Sequence, residues 1–208
     1  MRAGAIVGAA LLCALPARGA NESLSETVIG VLTPIDSVPA PAAIDQAFAP
    51  APALGSLINI ARAGTTDLGI QLRAIRALPG YCPADCSADL VHQTLVDLLA
   101  AYAPDPAAVQ SPADTLRLIA VIEALGATRS GLEADFERLW PLLDLSKTDG
   151  HAATCAPRRD VRATAARAIG QICFHDALDA LRAYIADPCG QVAMQAGLAV
   201  QTLEQCTK

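Results

Sequence analysis

Six cysteines are the residues of this sequence whose type and spacing most directly suggest chemistry. The chain has seven in all, and one of them, Cys13, lies in an apolar run near the N-terminus. An even number of cysteines in an exported chain is typical of disulfide bonds, and six allow fifteen pairings. The cysteines predicted to form disulfides are Cys82, Cys86, Cys155, Cys173, Cys189 and Cys206.

Zinc binding is the alternative use for some of these residues. His151 and Cys155, with three residues between them, and Cys173 and His175, with one, form the two-histidine, two-cysteine set that zinc prefers. These spacings match no standard zinc module, so disulfides are favoured over a metal site. The first two of the six cysteines have three residues between them rather than the two of a thioredoxin-like pair. Oxidoreductase chemistry is therefore also disfavoured.

The remaining polar residues do not form the pattern of a catalytic site. His92 lies on a predicted helix and is expected at the surface or in a groove rather than acting as a base. Glu133 and Asp135, near Arg138, are interpreted as solvated charges on a helix face. The sequence has neither the Gly-x-Ser-x-Gly setting of a nucleophilic serine nor a Gly-rich phosphate loop. It predicts a protein that is not an enzyme and holds no cofactor.

Composition and charge limit the class of partner. The formal net charge is −6, and an acidic chain repels nucleic-acid phosphates. Nucleic acid is therefore excluded as the expected partner. Aromatic residues make up only 3% of a chain rich in alanine and leucine, which favours closely packed helices.

Residues 1–19 are predicted to be an export signal. They begin with the positively charged Arg2, followed by an apolar run over 5–15 that is too short to span a bilayer. Small residues then precede a predicted cleavage site after Gly19. Leu12 precedes Cys13 where a lipid-anchoring signal needs a small residue, so a lipid anchor is disfavoured. The chain is expected to be exported, periplasmic or secreted, without a membrane span.

The rest of the chain predicts paired helices. Residues 20–40 are expected to be a flexible or irregular segment, and 41–208 a single helical domain. In the last pair, Leu178, Leu181 and Ile185 form the apolar stripe of the second helix. Trp140, beside leucines, is expected in the core. The predicted helices span 53–63, 66–78, 89–102, 114–125, 132–145, 160–172, 177–186 and 191–204, with a short break at 173–175 inside the last pair.

One helix of each pair ends in the same way, with an alanine followed by a large aliphatic residue. Three residues earlier stands another small or β-branched residue, and seven earlier an aliphatic one, except where Arg117 breaks the column. Paired helices repeating every 20–50 residues are typical of α-solenoids. The repeated dipeptides are Ala77-Leu78, Ala124-Leu125, Ala168-Ile169 and Ala199-Val200.

The last repeat resembles a short HEAT-type repeat. It has the sequence DVRATAARAIG over 160–170 and ALDALRAYIADP over 177–188, followed by Val192 of the next copy. A weaker match covers 66–101, with LRAIRAL at 72–78 as its centre. The resemblance spans roughly 53–204 and implies an all-α, right-handed solenoid of about four helix pairs.

The repeat geometry narrows the cysteine pairings. Cys155 and Cys189 both precede the first helix of a copy, whereas Cys173 and Cys206 both follow one. A helix of about 13 residues separates these ends by roughly 20 Å, beyond the ~7 Å limit on Cα separation in a disulfide. The predicted pairs are Cys155–Cys189, Cys173–Cys206 and a local Cys82–Cys86.

A non-catalytic protein-binding or scaffold module is the predicted function. Solenoids expose a long concave surface lined by the second helices of each pair. A structural envelope component is the alternative. Short HEAT-like repeats also occur in lyases that attach bilin chromophores to phycobiliproteins, but the predicted export signal argues against that enzyme. The partner-contact candidates are His92, Gln93, Asp97, Asp135, Arg138 and Arg182.

Overall fold

The computed structural model describes residues 24–34, 37–64, 66–82, 86, 89–105, 110–144, 155 and 158–206. The predicted export signal and His151 lie outside these ranges. Within them the chain is all-α, as the sequence predicts, with short 3-10 turns at Leu78–Tyr81 and His175–Ala177. The helices are α1 (Glu26–Leu32), α2 (Pro41–Phe48), α3 (Ala53–Arg62), α4 (Leu68–Ala77), α5 (Leu90–Tyr102), α6 (Pro112–Ala127), α7 (Glu133–Leu143), α8 (Arg159–Gln171), α9 (Leu178–Arg182) and α10 (Gly190–Gln205).

Polar side chains begin several of these helices. Helix N-termini leave backbone N–H groups without partners, and a serine or aspartate oxygen can accept from them. Asp67 accepts from the first turn of α4, Asp89 from that of α5 and Ser111 from that of α6. These residues mark where each of the three helices starts.

Four helices, α4, α6, α8 and α10, pack against one another in chain order and form what we call the first row. They are the helices that carry the repeated Ala–aliphatic dipeptide, and both positions are buried in all four. Small residues let these helices approach closely. A Cβ on Gly170 would lie 2.6 Å from the Cα of Ala199, and one on Gly126 would lie 2.9 Å from the Cα of Ala168.

Helices α3, α5 and α7, together with the short α9, form a second row. They pack against α4, α6, α8 and α10 respectively. Aromatic rings connect the end of this row: Phe136 contacts Phe174, with ring centroids 5.7 Å apart, and Trp140 meets Tyr184 edge-on at 5.4 Å. Trp140 is partly buried and packs against the core.

The N-terminal segment differs from the expected irregular one. Residues 26–32 form α1, which Ser25 begins by accepting from the Val28 N–H. Val28 and Leu32 are buried, and α1 packs against α2 and α4. An apolar side chain every fourth residue is therefore enough to dock this short helix on the first row.

The last hairpin differs from its prediction as well. Its second helix is only the short α9, and Ile185 is 47% exposed rather than part of the buried stripe. Tyr184 is buried instead, and its hydroxyl donates to the Asp144 carboxylate. The helix ends at Arg182, and the Tyr184 ring packs against Trp140 in place of the expected aliphatic contact.

The structure brings the six cysteines together in the three predicted pairs. The Cα atoms lie 5.1 Å apart in Cys82–Cys86, 5.1 Å in Cys155–Cys189 and 5.7 Å in Cys173–Cys206, within the range of disulfide bonds. Both long-range pairs join corresponding ends of α8 and α10.

None of the helices in the described ranges has the length and apolar character that crossing a membrane requires.

Candidate functional site

The six partner-contact candidates lie on or beside the second row, but they differ in exposure. Gln93, Asp97, Arg138 and Arg182 are exposed. His92 and Asp135 are buried, so their prediction as surface contacts is wrong. The four exposed residues and their polar neighbours on α5, α7 and α9 are called the second-row surface below.

His92 and Asp135 can be buried because each gives the other a hydrogen-bond partner. The His92 Nε2 and an Asp135 carboxylate oxygen are 2.8 Å apart and join α5 to α7. Ser130 donates to the same oxygen at 2.6 Å, and Arg138 donates to the other at 3.1 Å. A fully buried carboxylate needs such partners to offset its lost hydration.

This cluster contains a serine, a histidine and an aspartate, but its connections are not those of a catalytic triad. In a triad the histidine lies between the other two and takes the proton of the serine. Here Ser130 donates to Asp135 itself, so His92 does not activate it. The cluster is a structural connection between two helices of the second row.

The exposed polar residues of α5 are held in place by neighbours. Gln93 donates to Asp97 at 2.8 Å, and Arg62 at the end of α3 donates to Asp97 at 3.2 Å. At the far end of the row, Arg182 donates to Asp179 and to Glu204 of α10, both at 3.1 Å. These exposed ion pairs contribute little stability but restrict the side chains that a partner would meet.

The first row carries a polar network whose one sign in the sequence is the interrupted aliphatic column. The amide of Gln71, fully buried on α4, donates to the Ala61 carbonyl and accepts from Arg117 Nε at 2.7 Å. Arg117 also donates to Asp114 at 2.9 Å. Arg117, which breaks the aliphatic column, is therefore the partner of a buried amide, and the broken column was the one signal available.

A second group of charges crosses the first row. Glu123 on α6 accepts from Arg76 of α4 at 2.7 Å and from Arg167 of α8 at 2.5 Å. One carboxylate thus bridges three successive helices. All three side chains are partly exposed, so the bridge aligns the helices more than it stabilises them.

Metal binding gains no support from the described residues. No group of three or more histidine, cysteine or acidic side chains within them is placed to hold an ion. Cys155 is paired with Cys189, and Cys173 is paired with Cys206. The two cysteines of the alternative zinc set therefore contact different residues and do not meet each other. His175 Nε2 lies 3.1 Å from the Cys206 carbonyl oxygen.

Burial shifts the ionisation of the aromatic hydroxyls. It raises the pKa of Tyr184, and the hydrogen bond to Asp144 raises it further. Burial likewise raises the pKa of Tyr81, aided by its bond to Asp45, and the pKa of Tyr102. Tyr184 and Tyr81 donate to the carboxylates of Asp144 and Asp45, whereas the Tyr102 hydroxyl accepts from the Gln71 amide at 3.2 Å. All three phenols connect segments that are distant in the sequence.

The chain was compared with protein-family models, curated proteins and solved structures. None of the three comparisons finds a match. The function must therefore be argued from the geometry described above.

Proposed function

We propose that this chain is an exported, HEAT-like α-solenoid that binds another protein through its second-row surface without catalysing a reaction. The observation that carries the proposal is the chain-order packing of α4, α6, α8 and α10, with one second-row helix against each. Stacked helix pairs of this kind expose one row as a continuous surface. A right-handed superhelical path for the stack is part of the proposal.

The construction of the second-row surface supports a binding role. The buried His92–Asp135 pair fixes α5 relative to α7, and the Trp140–Tyr184 contact fixes α7 relative to the segment that follows α9. A rigid surface loses less conformational entropy on binding than a flexible one. The exposed Gln93 and Arg182 are the side chains that such a surface offers.

Export is supported by the cysteine pairs. Disulfides persist in oxidising compartments and are rare in the cytosol. Two of the pairs span 33 and 34 residues and fasten the last two helices of the first row. The end of a stack lacks a neighbour on one side, so covalent fastening there preserves the binding surface.

The test uses a charge change that leaves the buried cluster intact. Gln93→Glu with Arg182→Glu alters exposed positions on α5 and α9 only. The matched control is Gln191→Glu with Arg159→Glu, the same change at exposed positions of the first row. Immobilised wild type, test and control proteins are each incubated with the exported fraction, and bound proteins are identified by mass spectrometry.

We expect a partner that the wild type and the control recover and the test variant loses. Circular dichroism must show the same helix content in all three proteins. If the test variant recovers the same proteins as the wild type, the second-row surface is not the binding site. If no protein is specifically recovered by the wild type, the binding role itself is wrong.

A further inference from the structure

A polar pocket of about 400 Å³ lies at one end of the first row. It is formed where three helices of the row finish: α6, α8 and α10 each contribute their last residue. Its volume is at the small end of the range for small-molecule sites. The lining residues are Gly126, Ala127, Arg129, Gln171, Thr202 and Gln205.

Arg129 is held at this pocket by an unusual backbone. Its φ is +52°, the left-handed region that costs a non-glycine residue free energy. Its N–H closes the end of α6 by donating to the Gly126 carbonyl at 3.2 Å. Its guanidinium lies 3.8 Å from the Cys173 sulfur, beside the Cys173–Cys206 pair. A glycine would adopt this φ without strain, whereas the arginine brings a guanidinium to the end of the row.

Gly126 makes room for one of the polar groups. A Cβ at this position would lie 2.8 Å from the Gln171 side-chain oxygen and 2.9 Å from Ala168. The absent side chain therefore lets the Gln171 amide lie over the end of α6. Together with Gln205, it gives the pocket two amides that can both donate and accept hydrogen bonds. The Thr202 hydroxyl donates to the Leu198 carbonyl at 2.9 Å and offers its oxygen to the pocket as an acceptor.

The charge around the pocket has two signs. The C-terminus of a helix carries roughly half a negative charge, which favours cations, and three such ends meet here. Arg129 is the one charged residue among those lining the pocket, and its planar fork suits a carboxylate. A dianion would be repelled by the negative ends of the three helices, and a simple cation would be repelled by the guanidinium of Arg129.

We propose that this pocket binds a small zwitterion, a free α-amino acid. Its carboxylate pairs with Arg129 and its ammonium group lies towards the helix ends, near the side-chain oxygens of Gln171 and Thr202. The site is separate from the second-row surface and does not depend on the proposed protein partner.

The proposal is tested by titrating the disulfide-bonded protein with L-serine, N-acetyl-L-serine and L-serinamide. The changes are followed in the amide signals of Gln171 and Gln205 by nuclear magnetic resonance. We expect L-serine to bind with a Kd of roughly 1 mM or below, and each blocked analogue at least ~10-fold more weakly. Equal binding of either analogue, or no saturation by L-serine at about 50 mM, overturns the proposal.

Variants separate binding from folding. Arg129→Gly should keep or raise the thermal stability, because glycine adopts a positive φ freely, yet weaken L-serine binding about tenfold or more. Arg159→Gln, which removes an exposed arginine elsewhere on α8, is the matched control and should bind like the wild type. Unchanged affinity in Arg129→Gly would contradict the assignment of the carboxylate to this guanidinium.

Discussion

The close approach of α8 and α10 makes Gly170→Ala the most informative test of the fold. A Cβ at this position would lie 2.6 Å from the Ala199 Cα and 2.7 Å from its carbonyl oxygen. That is about 1 Å short of an ordinary carbon–carbon contact. The obstacle is backbone, which cannot turn aside as a side chain can, so α8 and α10 must separate along their length.

The expected cost follows from two opposing terms. Overpacking a core costs about 1–3 kcal/mol, and a backbone obstacle favours the upper half of that range. Replacing a helical glycine with alanine returns about 1 kcal/mol. The free energy of unfolding should therefore fall by roughly 1–2 kcal/mol, which lowers the Tm by about 2–8 °C for a chain of this length.

Gly197→Ala is the matched control on the same pair of helices. Gly197 lies inside α10, and a Cβ there would meet nothing within 4 Å. It should raise the free energy of unfolding by about 0.5–1 kcal/mol. Both variants are measured by urea and thermal unfolding, followed by the fluorescence of the single tryptophan. If Gly170→Ala is as stable as the wild type, the spacing of α8 and α10 described here is wrong.

Three other perturbations test the polar and covalent connections. The three tyrosines, whose pKa values burial raises, should ionise at a higher pH in the folded chain than in the unfolded chain: the stability from their neutral forms is complete below the ordinary tyrosine pKa of about 10. It is lost as pH rises through the higher folded-state pKa, so near-ultraviolet phenolate absorbance should rise together with loss of helix. Asp135→Ala leaves the buried side chains of Ser130 and His92 without their acceptor and should cost about 1–3 kcal/mol for each of them in urea unfolding; a loss below 1 kcal/mol would mean that the carboxylate is solvated. Replacing Cys173 and Cys206 with serine opens a loop between residues 33 apart in the sequence and should cost about 3–4 kcal/mol. Replacing Cys82 and Cys86, which are only 4 apart, should cost about 2 kcal/mol; equal losses would contradict the loop-length argument.

The first row could be predicted from the sequence because its helices repeat one rule. A small residue followed by a large aliphatic one is buried in all four, as at Ala168 and Ile169. The same register placed Cys155 with Cys189 at one end of the row and Cys173 with Cys206 at the other. A pattern that repeats along the chain therefore indicates which face of each helix is buried and which helix ends lie side by side.

The second row was predicted less well because its contacts are not periodic. His92 and Asp135 are 43 residues apart, and each looks like a surface residue in its own helix. Only the packing of α5 beside α7 makes them a buried pair. The exposure of Ile185 also follows from contacts between distant parts of the sequence. Tyr184, its neighbour, is buried against Trp140 and donates to Asp144, so Ile185 lies on the outer side of the turn.

Polar pairs between successive helix pairs also explain how this stack keeps its register. Columns of alanine and leucine would pack almost equally well if one helix slid by a turn past the next. A slip of that kind would separate Gln71 from Arg117, and Arg162 of α8 from Asp187, which it contacts at 2.5 Å. Each separation would leave a buried polar group without a partner, at about 1–3 kcal/mol per group. The apolar columns therefore hold the helices together, and the buried polar pairs determine which residue faces which.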